Sequence, residues 1–311
     1  MAILLSILPI FAVIGLGAAL RGGKFLSEAA DETLLRLSVN VLYPCLLFDA
    51  ILANPALTSG ATVWTAPALG FALASGGILL SRLAAPLAGL APGPSRRTFA
   101  LATGMFNWAY LPLPIVLAQF GRETVGVLAV FSLGVEVAMW TTGLLVLTGT
   151  GDGRGLRRVV NGPVLGILAA LAANLLHSGA WFPAPAREAI HLVGQASIPI
   201  GLMLIGASFF DFFGYVAWRS NGRALAAACV LRLGLLPLAF LAAAAWLPLS
   251  EDLRRVIAVQ AAMPSAVFPL VMARMYGGDA PLALLVILGT TLASLATMPF
   301  WISGALRFLG L

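Results

Sequence analysis

The chain has 311 residues, of which 60% are hydrophobic and only 10% charged, with a mean hydropathy of +1.00 and a formal net charge of +6. A water-soluble domain carries about a quarter charged residues, so this composition excludes an ordinary cytosolic enzyme and points to lipid as the solvent. At about 20 apolar residues per spanning helix, the length accommodates about ten to twelve spans and no sizeable domain outside the bilayer.

The first apolar stretch, residues 3–20, has no Lys or Arg before Arg21, so it lacks the positive start of a cleavable leader and is expected to remain as span 1. Ser27, with Glu28 and Asp31 just after it, reads as a helix start, because acidic side chains are favoured there by the helix dipole. Span 2, at 34–53, contains Pro44 and ends near Asp49, a carboxylate expected to snorkel to the surface or line an entrance. Spans 3 to 5 are expected at 62–81, 98–120 and 125–148, and spans 6 to 10 at 159–177, 190–210, 224–247, 254–276 and 281–303. All are helices, since an isolated strand facing lipid leaves its backbone groups unpaired. Cys45 and Cys229 lie apart in apolar stretches with no His nearby, which indicates neither a disulfide framework nor a zinc site.

The connections alternate in charge. Those after spans 1, 3, 5, 7 and 9 carry twelve of the 18 basic residues, among them Arg82, Arg97, Arg158 and Arg274, whereas the opposite side holds Arg122, Arg187, Arg254, Arg255 and Arg307. The positive-inside rule then places the odd-numbered connections in the cytoplasm and both termini outside. Scattered in this way, the Arg residues set topology and form no patch for nucleic acid.

Spans 4 and 9 differ from their neighbours. Span 4 carries Gly104, Asn107, Pro112 and Pro114 before Phe120-Gly121; span 9 carries Gln260, Pro264, Ser265 and Pro269 before Tyr276-Gly277. Each continues through a short acidic connection, at Glu123 or Asp279, into another apolar helix. Proline in mid-helix removes a donor and clashes with the preceding turn, so both spans are expected to unwind midway. Irregular backbone survives at membrane depth only where protein or water satisfies it, and two such spans at matching positions point to a transporter site at the bilayer midplane. The spacing divides the chain into residues 1–150 and 151–311, two five-helix repeats; five being odd, the repeats are inverted.

The residues that carry this pattern also carry a resemblance. Asn40-x-x-x-Pro44 before Leu-Leu-Phe, Asn107 ahead of Leu-Pro-Leu-Pro, Pro199-Ile-Gly-Leu-Met-Leu-Ile-Gly206, and Met263-Pro264-Ser265 running to Tyr276-Gly277-Gly278-Asp279 together resemble the auxin efflux carrier family along essentially the whole chain. The resemblance implies an all-α integral membrane fold of ten transmembrane helices as two inverted five-helix repeats, with broken helices 4 and 9 crossed as in sodium/proton antiporters and bile-acid symporters. It further implies a transport domain (spans 3–5 and 8–10) moving against a scaffold (spans 1, 2, 6 and 7), and a homodimer. The chain departs from the plant exporters in having only residues 149–158 between its halves, and it has Ser265 where relatives often have Asn.

On these grounds the expected function is secondary transport of a small organic anion, a mono- or dicarboxylate, by alternating access across a bacterial inner membrane. Asn107, with the backbone of Pro112, Pro114, Pro264 and Ser265, is expected to contact the substrate; Gln260 and the Ser265 side chain are further candidates on the opposing broken helix, which lacks a second amide at the crossover itself. Arg232 falls inside span 8, where a guanidinium must be paired or face a cavity; it either pairs with Glu136 of span 5 or meets the substrate's carboxylate. Glu136 is the residue placed to carry a coupling proton. His177 and His191 stand too far from other ligands in sequence to imply a metal. Trp64, Trp181, Trp246 and Trp301 read as interfacial anchors, and Asp211 belongs to the cytoplasmic face. No nucleophile motif, metalloprotease motif or phosphate loop occurs, so no catalytic residue and no cofactor is expected, and gradients drive transport. A sodium-coupled symporter of the bile-acid type and a membrane sensor without transport remain as alternatives.

Overall fold

The structure is a computed structural model that describes residues 2–58, 60–149, 155–176, 182–214 and 221–311. Residues Arg154, His177, Trp181 and Arg219 lie outside the described residues. Among the described residues the chain is helical throughout, with no strand beyond one isolated bridge.

Helix α1 is Ala2–Gly22. Helices α2 (Glu28–Leu37) and α3 (Tyr43–Ile51) run on through a π-helical turn at Ser38–Leu42, directly before Pro44, so the proline distorts the helix without ending it. Helix α4 spans Gly60–Ala84; α5 (Pro94–Gly104) and α6 (Pro112–Phe120) are two pieces of one interrupted helix. Helices α7 (Arg122–Ala138) and α8 (Leu144–Thr148) join through a second π turn at Met139–Gly143. The short α9 (Gly155–Val159) precedes α10 (Gly162–Leu175), and α11 (Ala184–Gln195) continues into α12 (Ser197–Phe213). Helices α13 (Gly222–Val230) and α14 (Leu236–Trp246) join through a third π turn, Leu231–Leu235. A second interrupted pair, α15 (Glu251–Ala261) and α16 (Phe268–Met275), leads to the long α17 (Ala280–Leu309).

Six of these stretches are long and apolar enough to cross a membrane: Glu28–Ile51, Gly60–Ala88, Arg122–Thr148, Ala184–Phe213, Gly222–Trp246 and Ala280–Leu309. The chain is therefore an all-α, multi-pass membrane protein. The expected interruptions of the fourth and ninth segments are present at 105–111 and 262–267. Helix ends extend past the apolar windows because polar first turns such as Glu28–Asp31 and Glu251–Asp252 remain helical.

The helices pack as two groups. Helices α1 and α12 lie together, as do α3, α10 and α11; in the other group α4 contacts α5 and α7, α15 contacts α7, α14 and α17, and α13 and α5 contact α17. Gly134 allows α7 to lie against the backbone of α4, since a Cβ there would overlap the carbonyl of Pro67. The main bridge between the groups is α3 against α7. Asn54, just past α3, ties it together: its amide donates to the carbonyls of Ala50 and Glu123, each at 2.9 Å, and its backbone exchanges hydrogen bonds with the Asn174 side chain of α10. Both Asn54 and Asn174 are buried, so these bonds satisfy groups that would be costly to strand in an apolar interior.

Trp301 is partly buried, and its indole N–H donates at 2.6 Å to the carbonyl of Leu233, which holds α17 against the third π turn. A π turn displaces carbonyls from the regular ladder, and an indole that reaches one gains a buried partner. Trp64 and Trp246 are broadly exposed, as anchors would be. Of the two readings of Asp49, the structure departs from snorkelling: the side chain is only 5% exposed, forms an ion pair with Arg122 and a hydrogen bond with Nδ1 of His191, and lines two cavities. A nearly buried carboxylate is costly unless it is paired and hydrogen-bonded, and these two side chains supply the partners.

The crossing of two interrupted helices

The two interruptions meet. Phe106 and Ser265 form an antiparallel bridge in which the N–H of Asn107 donates to the carbonyl of Pro264 at 2.8 Å and the N–H of Ala266 donates to the carbonyl of Met105 at 2.9 Å. An α-helix that stops in mid-membrane strands backbone donors and acceptors, and here each break supplies what the other lacks. Prolines direct the stops: Pro112 opens α6 and Pro269 lies in the first turn of α16, positions where a missing N–H costs nothing, while Pro264 sits in the second break. Gly121 (φ +82°) and Gly277 (φ +70°) then turn the chain from each short helix into the next.

Four helix ends converge on this crossing. Gly104, the last residue of α5, presents its carbonyl to Nη1 of Arg232 at 3.5 Å. Arg232, carried by the third π turn, is fully buried and lies with its guanidinium carbon 5.5 Å from the Phe106 ring and 5.3 Å from that of Phe240. A cation at a helix C-terminus balances the negative end of its dipole. The positive ends have no such counterpart, for neither α6 nor α16 has an acidic residue in its first turn.

The polar side chains at the crossing are unevenly placed. Asn107 and the following Trp108, Ala109 and Tyr110 are partly exposed, whereas Gln260, Pro264, Ser265 and Arg232 are buried, as is Pro112. Pro114 is partly exposed in the second position after Pro112. Oδ1 of the Asn107 side chain accepts from the N–H of Ala109 at 3.4 Å, which turns the amide along the break. Gln260 reaches the Trp108 carbonyl with its Nε2 at 3.5 Å. Its Oε1, the Ser265 hydroxyl, and Nε and Nη2 of Arg232 are buried with no hydrogen-bond partner. Tyr110 projects from the break onto the other helix group, stacking 5.1 Å from Tyr43 of α3 and filling the space beside Gly201 of α12.

Glu136 does not pair with Arg232. Its Oε1 accepts from Nδ2 of Asn161 at 2.8 Å, and the same Asn caps α10 by accepting from the N–H of Val164. Arg232 instead faces two aromatic rings and a carbonyl, so the two charged residues inside the apolar chain serve separate contacts. Glu136 Oε2 is buried and unpartnered. No group of His, Cys, Asp and Glu among the described residues has the geometry of a metal site.

Tyr110, Asn161 and the pairing of Asp49 with Arg122 and His191 were not legible as site features. Asn161 had a usable signal, an Asn directly before Gly-Pro at a helix start. The Asp49 pairing joins residues 73 and 142 positions apart and has none.

The chain matches the family described as membrane transport protein over residues 2–157 and again over 154–302. A comparison with curated proteins gives no match.

Proposed function

Because the chain belongs to the auxin efflux carrier family of membrane transport proteins, we propose that it is a secondary carrier for a small organic anion, which binds where the two interrupted helices cross. The family is one of transporters, which fits a membrane-embedded chain without an enzymatic motif. One observation carries the anion reading: two helix N-termini end in the middle of the protein with no acidic side chain to balance them, beside an accessible amide, Asn107. Helix N-termini favour carboxylates through their dipoles and free N–H groups.

In this reading Asn107 and the backbone approaching Pro112 and Pro114 receive a carboxylate. Gln260, Pro264, Ser265 and Arg232 form the layer beneath, whose unspent polar atoms become available when the crossing loosens. The chain crosses the membrane ten times as two inverted five-helix repeats, 1–150 and 151–311, with the termini outside in a bacterial inner membrane. The group containing α4 to α8 and α13 to α17 moves as the transport domain against α1 to α3 and α9 to α12, which pair with a second copy. Tyr110 then lies on the sliding surface, against Tyr43 and Gly201. Glu136, bonded across that surface to Asn161, is the residue placed to couple a proton to the movement.

Counterflow in proteoliposomes tests this function. With purified protein and an unlabelled carboxylate inside, at least one of labelled malonate, malate, acetate and indole acetate is expected to accumulate transiently, and replacing sodium by potassium leaves the rate unchanged. Absence of counterflow for every member of that set would reject a small-carboxylate carrier, and a strict need for sodium would favour a sodium-coupled symporter.

A further inference from the structure

At one end of the contact between the two helix groups, two adjoining cavities of about 220 and 230 Å³ share Asp49, Ala50 and Arg122 in their walls. The first is also lined by Asn54, Glu123 and Arg187; the second by His191 and Gln195 and, on its apolar side, by Leu113 and Leu117 of α6. Leu113 directly follows Pro112, so the second cavity lies along the half-helix whose N-terminus faces the crossing.

The pairing here leaves polar groups unspent on both partners. Arg122 and His191 both address Oδ2 of Asp49, His191 through Nδ1 at 2.8 Å, while Oδ1 is buried without a partner. Arg122 spends only Nη2, on Oδ2 and on the Asp49 carbonyl at 3.3 Å. A guanidinium has five N–H donors in a fork that suits a carboxylate bidentately. The Arg122 side chain is 46% exposed, at the rim of open space, whereas Asp49 is 5% exposed. Both partners line the two cavities, and the guanidinium is much the more accessible of them.

We propose that this end of the interface is a carboxylate-binding vestibule built on Arg122, in which Asp49 occupies the guanidinium until an incoming carboxylate displaces it. The apolar wall of Leu113, Leu117 and Val125 accommodates the carbon skeleton, and in the first cavity Arg187 offsets the charge of Glu123. His191 retains Asp49 after the exchange. The inference rests on the carrier reading for the identity of its ligand, but its binding chemistry can be tested without transport.

Leu117, exposed on α6, is replaced by Cys in full-length protein from which Cys45 and Cys229 have been removed by substitution with Ala. Labelling rates are then compared for an anionic and a cationic methanethiosulfonate of similar size. Asp49→Asn is expected to raise the anionic-to-cationic rate ratio by about tenfold and Arg122→Gln to lower it, because a charge fixed in a confined cleft biases the local concentration of small ions. Millimolar malonate or acetate slows labelling while Arg122 is present and not in Arg122→Gln. A rate ratio unmoved by Asp49→Asn, or labelling unaffected by both carboxylates, would overturn the vestibule. Should Arg122→Gln fail to give monodisperse protein, the near-isosteric Asp49→Asn decides alone. Charge-dependent labelling in a protein without carboxylate counterflow would reject the carrier and keep the vestibule; counterflow with charge-blind labelling would do the reverse.

Discussion

Asn107→Ala is expected to cut carboxylate counterflow by roughly 10- to 150-fold, the equivalent of one hydrogen bond to a charged group, while the purified protein keeps its fold. The two halves of this expectation come from different atoms of the residue. The backbone N–H of Asn107 makes the bridge to Pro264, and Ala retains it. The side chain makes one long contact, with the N–H of Ala109, so its loss costs only about 0.5–1.5 kcal/mol. In the proposed carrier its Nδ2 is the group that meets the ligand, at the partly exposed edge of the crossing. Counterflow and a thermal melt on the same preparation separate the effects; wild-type flux in the variant would remove Asn107 from the site.

The second large effect concerns Arg232 and has opposite signs for transport and stability. Arg232 is fully buried, faces two aromatic rings, and leaves Nε and Nη2 without partners. Replacing a buried ion pair by apolar side chains of similar volume is often neutral or stabilising by about 1–4 kcal/mol, and Arg232 has no anionic partner among the described residues to leave behind. Arg232→Met is therefore expected to melt no lower than the wild type. Transport should nevertheless fall at least about tenfold, because the Gly104 carbonyl loses its cation and the crossing its one buried positive charge. Arg232→Lys, which keeps the charge and loses the fork, should fall between the two. A methionine variant that transports normally would show that the guanidinium has no part in the site; one that fails to fold would show that it is structural.

Much of this arrangement is written locally in the chain. The interruptions at 105–111 and 262–267 follow from proline chemistry acting within a few residues, so Pro112, Pro114, Pro264 and Pro269 announce them without any tertiary information. That the two breaks share an antiparallel bridge is a tertiary fact which sequence spacing only suggests. The three π turns were not legible, although each lies at or beside a polar residue of the apolar chain: Asn40 in the first, Glu136 before the second, Arg232 in the third. A π turn has no residue signature of its own; packing around a side chain that needs room or a partner selects it. The separation of Glu136 from Arg232 was illegible for a related reason. Opposite charges in lipid suggest a pair, yet Arg232 met a carbonyl and two rings, and Glu136 met an Asn at a helix cap. Asp49 shows the same limit, since its depth depends on α7 and α11 packing around the end of α3.

In the proposed carrier a carboxylate binds at the crossing of the interrupted helices. Hydrogen–deuterium exchange of the purified protein, with and without the carboxylate that counterflow identifies, tests it most directly. Binding at the crossing predicts slower exchange in the break at 105–111, whose residues 107–110 are partly exposed, with the far ends of α1 and α17 unchanged. Exchange in 105–111 that stays the same at saturating carboxylate would contradict binding there.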